Sequence, residues 1–386
     1  MAYVEGTKLI IAGNGSGKVF ANPDSSWIFS DSAKKDYYTK LIKITGGNLL
    51  DTSKATTMER MFQNSSALTT IDTSNWDTGK VKSMKNMFFT CSSLTTVDVS
   101  HWDTSKVESM LGAFQACKSL ASLDISNWNT GSVTAMTAMF NMPDNGDGTG
   151  INTSLTTLDV SGWDVSQVTS MQNMFNNCGG LISIGDTTSW NPELCTNMAV
   201  MFNGCSSLQS LNTVNWNVSK VTTMKHMFNG CSNLTTIGDT TNWNPAFCTD
   251  MSSMFNKCTS LEELNVYSWD VSKVTTFRCM FQGGNYGNPP MIIKELDVSK
   301  WDTSSVTDMS FMFYGCKGPK TLDVSSWNVS KVTNFDHMFA HSGLVISGVE
   351  NWVTSSATNM YGMFHSTNNT TFDVSKFVTS NVITFG

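Results

Sequence analysis

An acidic residue recurs four residues before a tryptophan along much of the chain. Clear examples are Asp98, Asp124, Asp159, Asp297 and Asp323. A serine usually follows two residues after the acid. Carboxylates and hydroxyls at one repeated position can accept and donate hydrogen bonds or attract cations. Three interpretations stay open: hydrogen bonding between neighbouring repeats, a ligand-binding strip, and bound calcium.

Two other groups of residues suggest nucleotide or metal chemistry but lack partners. The glycine-rich segment 13–18 resembles a phosphate loop, yet Ala12 and Val19 stand where a Walker loop needs glycine and serine or threonine. We expect a turn in an N-terminal cap there. His337 and His341 are four residues apart, without a third ligand nearby. The sequence therefore predicts that the protein is not an enzyme and that it binds neither a cofactor nor a metal ion.

Two insertions interrupt the regular spacing and are candidate binding loops. The first, residues 141–154, contains Asp144 and Asp147 in a segment with a faint likeness to a calcium loop. The second, residues 282–292, contains Tyr286 between glycines, where an exposed aromatic side chain could anchor a partner. Partner contact and neutral variation of loop length are both left open.

Two aromatic residues, tryptophan and phenylalanine, recur along the chain with a fixed offset. In each repeat, phenylalanine follows tryptophan by twelve residues, and Phe62, Phe88, Phe114 and Phe140 are 26 residues apart. The repeated tryptophans are predicted to form an internal stacked ladder, because the same residue in so many repeats indicates packing. They are Trp76, Trp102, Trp128, Trp163, Trp190, Trp216, Trp243, Trp269, Trp301, Trp327 and Trp352.

The apolar spacing within one repeat predicts its local structure. Valine, methionine, methionine and phenylalanine stand 5, 8, 11 and 12 residues after tryptophan, which fits one face of a short helix. The segment before tryptophan reads L-x-x-L-x-L, as in a half-buried strand. We therefore predict an α/β leucine-rich-repeat solenoid of about 12 to 13 coils over residues 46–386, with parallel strands on one face, short helices on the other, and a cap at residues 1–45.

Composition restricts the partners and the location. Only 14% of the residues are charged and the formal net charge is −7, so nucleic acid is an unfavourable partner. Neutral polar residues dominate, which favours an extracellular location. No signal peptide, membrane span or anchor is visible, so we expect no membrane insertion.

The motifs resemble a known bacterial family. The pattern DxSxWDTSxVTxMxxMFxxCxxL, almost complete at residues 98–120 and 297–316, is similar to the BspA-like leucine-rich-repeat surface proteins. That resemblance implies a non-catalytic adhesin that binds a cell-surface glycan or protein. Related repeats also occur in phage particles, so a phage or tailocin tail component with a receptor-binding role is the alternative.

The last repeat also suggests an assembly role. Phe377 begins a rigid half-repeat whose phenylalanine would fall beyond residue 386. We therefore predict that the C-terminal coil docks on a second copy or on a carrier, with fraying as the alternative.

Overall fold

The computed structural model describes residues 2–5, 8–11, 19–30, 40–144, 150–284 and 289–385. The chain folds as two compact units, Met1–Pro192 and Glu193–Gly386. The proposed boundary between a cap and a repeat region at residue 45 stays a prediction. The turn expected at residues 13–18 lies outside the described residues.

Regular strands are few and short. In the first unit, β1 (Ala2–Glu5) pairs antiparallel with β2 (Lys8–Ile11). β2 pairs in parallel with β4 (Lys43–Thr45), and β4 pairs in parallel with β6 (Thr70–Ile71). A separate parallel pair joins β3 (Val19–Phe20) to β5 (Leu50–Asp51). In the second unit, β7 (Thr321–Asp323) pairs in parallel with β8 (Val345–Ser347).

Elsewhere, successive coils pair through single parallel bridges at two places in each repeat. One series follows the first leucine of the L-x-x-L-x-L segment, as between Thr96 and Ser122. The other lies seven residues after tryptophan, as between Ser83 and Ser109. Because each bridge joins equivalent positions of adjacent repeats, the coils stack in register within each unit. The predicted repeat fold is confirmed.

The prediction of a short α-helix in each repeat is wrong. The described residues contain no α-helix, although short 3-10 helices occur at Gly47–Leu49 and Val349–Asn351. In the repeat around Phe88, alternate backbone N–H groups donate to the next coil, as Asn86 N does to Leu111 O at 2.8 Å. The N–H groups between them donate three residues back, as Met87 N does to Met84 O.

Backbone conformation explains why these segments form turns. Asn86 and Thr90 have φ values of 54° and 62°, which a right-handed helix of L-residues excludes. A positive φ at the third residue of a four-residue turn is typical of type II turns. The apolar side chains expected on a helix face are still buried, including Met84, Met87 and Phe88, but they project from a ladder of turns.

Two aromatic columns fill the interior. The eleven repeat tryptophans are 0–4% exposed. Trp76 stacks on Trp102 with ring centroids 6.0 Å apart, and Phe62 stacks on Phe88 at 5.0 Å. The indole N–H groups mostly donate to a carbonyl of the preceding coil, as Trp76 Nε1 does to Gly47 O at 2.9 Å. An indole of this kind satisfies its polar atom while burying its ring; Trp102 is an exception, since its Nε1 is buried without a hydrogen-bond partner.

A thiol column runs beside the phenylalanines. Cys91 Sγ donates to Phe62 O in the preceding coil at 3.1 Å, and Cys117 Sγ donates to Phe88 O at 3.2 Å. Where the first insertion interrupts this column, Asn152 stands three residues before Leu155, in the position of cysteine. Its side chain is fully buried.

Threonine forms a further column on the outer surface. This threonine stands six residues after tryptophan. Its hydroxyl donates to a backbone carbonyl of the preceding coil, as Thr275 does to Thr249 O at 3.0 Å and Thr307 does to Thr275 O at 3.2 Å. None of the described helices has the length and apolar character needed to cross a bilayer.

Candidate functional site

The five predicted carboxylates, here called the carboxylate row, are all exposed on the outward side of the L-x-x-L-x-L segments. Asp98, Asp124 and Asp159 lie in the first unit, and Asp297 and Asp323 lie in the second. Leucine and valine next to them point inward and are buried, as at Val97 and Val99. This alternation, typical of extended backbone, presents the carboxylates to solvent.

Each carboxylate of the row is held by its own turn. Asp98 Oδ1 accepts hydrogen bonds from the backbone N–H of Ser100 at 3.1 Å and from its hydroxyl at 2.7 Å. Asp297 Oδ1 accepts the equivalent pair from Ser299 at 3.0 and 2.6 Å. These bonds join residues two apart, as in Asx-turns, rather than neighbouring coils.

The same bonds affect titration. The hydroxyl and backbone N–H of Ser100 lower the pKa of Asp98, and those of Ser161 lower the pKa of Asp159. Hydrogen bonds to the charged form of a carboxyl stabilise that form. In addition, Ser161 Oγ donates to Asp159 and accepts from Asp186 N in the next coil at 3.0 Å. The side chains are therefore charged and oriented at neutral pH.

In the first unit, part of the row borders a shallow depression. A cavity of about 400 Å³ is lined by Asp98, Asp124, Ser100, Ser122 and Thr157 among others. Its wall combines these hydroxyls and carboxylates with Val97, Ala121 and Leu123. Such a surface suits ligands that donate hydrogen bonds.

In the second unit, the row opens into a larger depression, here called the groove. Two adjoining cavities of about 780 Å³ each share Lys294, Glu295 and Asp297. One extends past Asp323, and the other extends past Tyr267. Further lining residues include Asp239, Glu262, Glu263, Ile292, Lys317, Pro319 and Lys320.

The groove combines both signs of charge with an aromatic ring. Lys294 Nζ forms a salt bridge with Glu262, which raises the pKa of the lysine. Lys300 Nζ lies 4.2 Å from the centre of the Tyr267 ring, in a cation–π contact. Tyr267 is 39% exposed and Ile292 is 38% exposed. Carboxylates, ammonium groups and apolar faces are therefore all accessible to one ligand.

The insertion residues contribute less information. Asp144 is exposed, whereas Asp147 and Tyr286 lie outside the described residues. Ile292, at the end of the second insertion, lines the groove.

The candidates for reactive chemistry are dispersed or shielded. In the described part of the chain, no three His, Cys, Asp or Glu side chains converge into a group able to hold a metal ion. Burial raises the pKa of the Cys178 thiol to about 12 and that of Cys316 to about 12. Such thiols are protonated at neutral pH and are poor nucleophiles.

Sequence reasoning missed several groove residues, namely Tyr267, Lys294, Glu295 and Lys320. Only Asp297 and Asp323 follow the repeated pattern. The available signal was departure from that pattern, since Tyr267 stands where most repeats place serine. Periodicity identifies what the coils share, whereas this groove depends on where they differ.

Comparison with solved structures gives similarities at low identity. A leucine-rich cell surface protein from Faecalibacterium prausnitzii matches with 14% identity and a TM-score of 0.30, and the match covers 90% of this chain and 95% of that protein's chain. A leucine-rich repeat protein from Bacteroides ovatus matches with 14% identity and a TM-score of 0.25, and the match covers 86% of this chain and 78% of that protein's chain. The functional domain of InlJ from Listeria monocytogenes, which includes a cysteine ladder, matches with 14% identity and a TM-score of 0.20, covering 91% and 64%.

Sequence comparison with curated proteins gives no match. A family model described as "Mycoplasma protein of unknown function, DUF285" matches four overlapping segments, residues 38–151, 147–244, 208–292 and 289–386. Together these segments span nearly all of the repeats described above, and the chain therefore belongs to the DUF285 family.

Proposed function

We propose that this protein is a non-catalytic, extracellular recognition protein of the BspA-like type, which binds a cell-surface glycan or protein through the groove. The observation that carries this proposal is the convergence of Asp297, Glu295 and Lys294 in two adjoining cavities beside an exposed tyrosine. A shallow, mixed-charge surface with an aromatic edge is suited to recognition.

The local geometry favours binding over reaction. Asp297 Oδ1 is already engaged by Ser299, so it presents a fixed negative charge. Lys294 forms an exposed salt bridge with Glu262. A side chain that is already oriented, as Asp297 is, loses little conformational entropy when a ligand arrives, which increases affinity.

The test is a binding screen on glycan and matrix-protein arrays with matched variants. Glu295→Gln and Asp297→Asn together remove two charges from the groove, and asparagine keeps the oxygen that accepts the Ser299 hydrogen bonds. Hydrogen bonds to charged groups contribute about 1.5 to 3 kcal/mol each. We therefore expect the double variant to bind the groove ligand at least tenfold more weakly than the unchanged protein.

Asp124→Asn is the matched control, because it removes a charge of the row outside the groove. Equal binding of the array hits by the unchanged protein and the Glu295→Gln, Asp297→Asn variant would refute the assignment to the groove.

A further inference from the structure

A second surface of the Glu193–Gly386 unit carries six aromatic or imidazole rings on the turn ladder. This surface, here called the ring patch, consists of Phe311, Tyr314, His337, His341, Tyr361 and His365. Phe311 stacks on His337 with centroids 5.1 Å apart and an interplanar angle of 10°. His341 and His365 meet edge to face at 4.9 Å.

The rings are accessible rather than part of the interior. Tyr361 is 48% exposed, and His365 is also exposed. Phe311, Tyr314 and His337 are half-buried. The interior of the same coils is filled separately by the tryptophan and phenylalanine columns, so packing of the core does not require the ring patch.

The backbone under the patch follows the turn ladder of the other coils. Phe311, His337 and His341 have φ values of 57°, 49° and 56°. The corresponding positions of other coils also have positive φ, whether they hold glycine, as at Gly112, or a branched side chain, as at Val200. The rings therefore project from positions that belong to every turn of the ladder, where the residue type differs from coil to coil.

The patch also concentrates basic groups in a chain of net charge −7. It contains three of the five histidines. Arg278 Cζ lies 5.8 Å from the centre of the Phe311 ring. Burial lowers the pKa of His341 most, and the charges of His365, His337 and the nearby Lys317 lower it further.

The neighbouring carboxylates are engaged locally. Asp336 Oδ1 lies 2.5 Å from His337 Nδ1. Asp308 Oδ1 accepts the backbone N–H of Ser310 at 2.9 Å.

We propose that the ring patch binds a carboxylated sugar of an acidic glycan, with a pyranose ring against Tyr361 and His365 and its carboxylate near His341 and Lys317. The C–H face of a pyranose packs against aromatic rings, whose faces carry partial negative charge. A carboxylate pairs with guanidinium, ammonium or imidazolium groups. A neutral sugar would satisfy only the first of these requirements. This site is separate from the groove and does not depend on it.

Calorimetry with tri-galacturonic acid and its methyl ester tests the proposal, because the two probes differ only in the charged groups. We expect binding of the acid and at least tenfold weaker binding of the ester, both measured at pH 5.5. Sialyllactose against lactose, measured in the same way, distinguishes a sialic acid from a uronic acid as the carboxylated sugar.

Tyr361→Ala and His365→Ala should each weaken binding of the acidic probe at least fivefold at pH 5.5. Tyr267→Ala, which removes an exposed tyrosine from the groove, is the matched control and should leave this binding unchanged, as should Glu295→Gln with Asp297→Asn. Equal affinity for acid and ester, absence of binding by both acidic probes at pH 5.5, or loss of binding only in the groove variants would overturn the proposal.

Discussion

Replacing Asn152 by alanine should destabilise the Met1–Pro192 unit strongly. The buried amide of Asn152 donates to Cys117 O at 3.1 Å and to Leu120 O at 3.0 Å. Its Oδ1 accepts from the backbone N–H groups of Ser154 and Leu155 at 2.8 and 2.9 Å. The amide therefore connects the end of the first insertion to the preceding coil.

The magnitude follows from these four bonds. Each contributes about 1 kcal/mol net, and removing one partner of a buried pair leaves the other without its bond. Cys117 O also accepts from Leu120 N. It therefore keeps one hydrogen bond in the variant, and its contribution to the destabilisation is smaller than that of the other three backbone groups. We expect Asn152→Ala to lower the free energy of unfolding by about 3 to 4 kcal/mol.

Urea unfolding followed by tryptophan fluorescence measures this loss, provided that the slope of the transition is unchanged. The matched control is Asn127→Ala, an exposed asparagine in the same unit, which should change stability by less than about 0.5 kcal/mol. A loss below about 1 kcal/mol for Asn152→Ala would show that the four backbone groups find other partners, and would refute the reasoning.

Three further predictions follow from the indole, imidazole and thiol environments. In urea unfolding, Trp76→Phe should lower the free energy of unfolding by about 1 kcal/mol more than Trp102→Phe does. The reason is that Trp76 Nε1 donates to a carbonyl, whereas Trp102 Nε1 is buried without a hydrogen-bond partner. Equal losses in the two variants would contradict this. Burial, followed by the charges of neighbouring histidines, lowers the pKa of His341 below 6.5. Its contribution to stability should therefore be complete above pH 6.5 and decrease as the pH falls, and urea unfolding of His341→Gln at pH 7.5 and 5.0 should show a smaller decrease than the unchanged protein. Cys279 is partly exposed while the other nine cysteines are buried, so a thiol-specific chromogenic reagent should titrate one group in the folded protein and ten after denaturation; rapid reaction of several thiols in the folded state would contradict the burial.

The spacing of aromatic and apolar residues was sufficient to predict a stacked repeat, because a column needs the same residue type in every coil. The same spacing was insufficient to distinguish a helix from a ladder of turns. Apolar residues at intervals of 3, 3 and 1 fit both structures. The discriminating signal was present in Gly112, Gly204 and Gly230, which occupy positions that a stable helix would fill with better helix formers.

The carboxylate row could be located from sequence, since its position relative to tryptophan is fixed. Its hydrogen bonding was less predictable, because an aspartate followed two residues later by serine can close its own turn or reach a neighbouring coil. The groove and the ring patch depend on residues from several coils that break the repeat, such as Tyr267 and His337. Only the stacked structure shows which of these residues become neighbours.

The columns described above have an evolutionary consequence. Every interior coil offers its neighbours the same tryptophan, phenylalanine and backbone donors, so one coil is nearly interchangeable with another as a building block. Recombination between the corresponding stretches of DNA can therefore add or remove whole coils while each remaining side chain keeps an equivalent neighbour. Binding residues on the outer surface can then diversify without changing the packing that supports them.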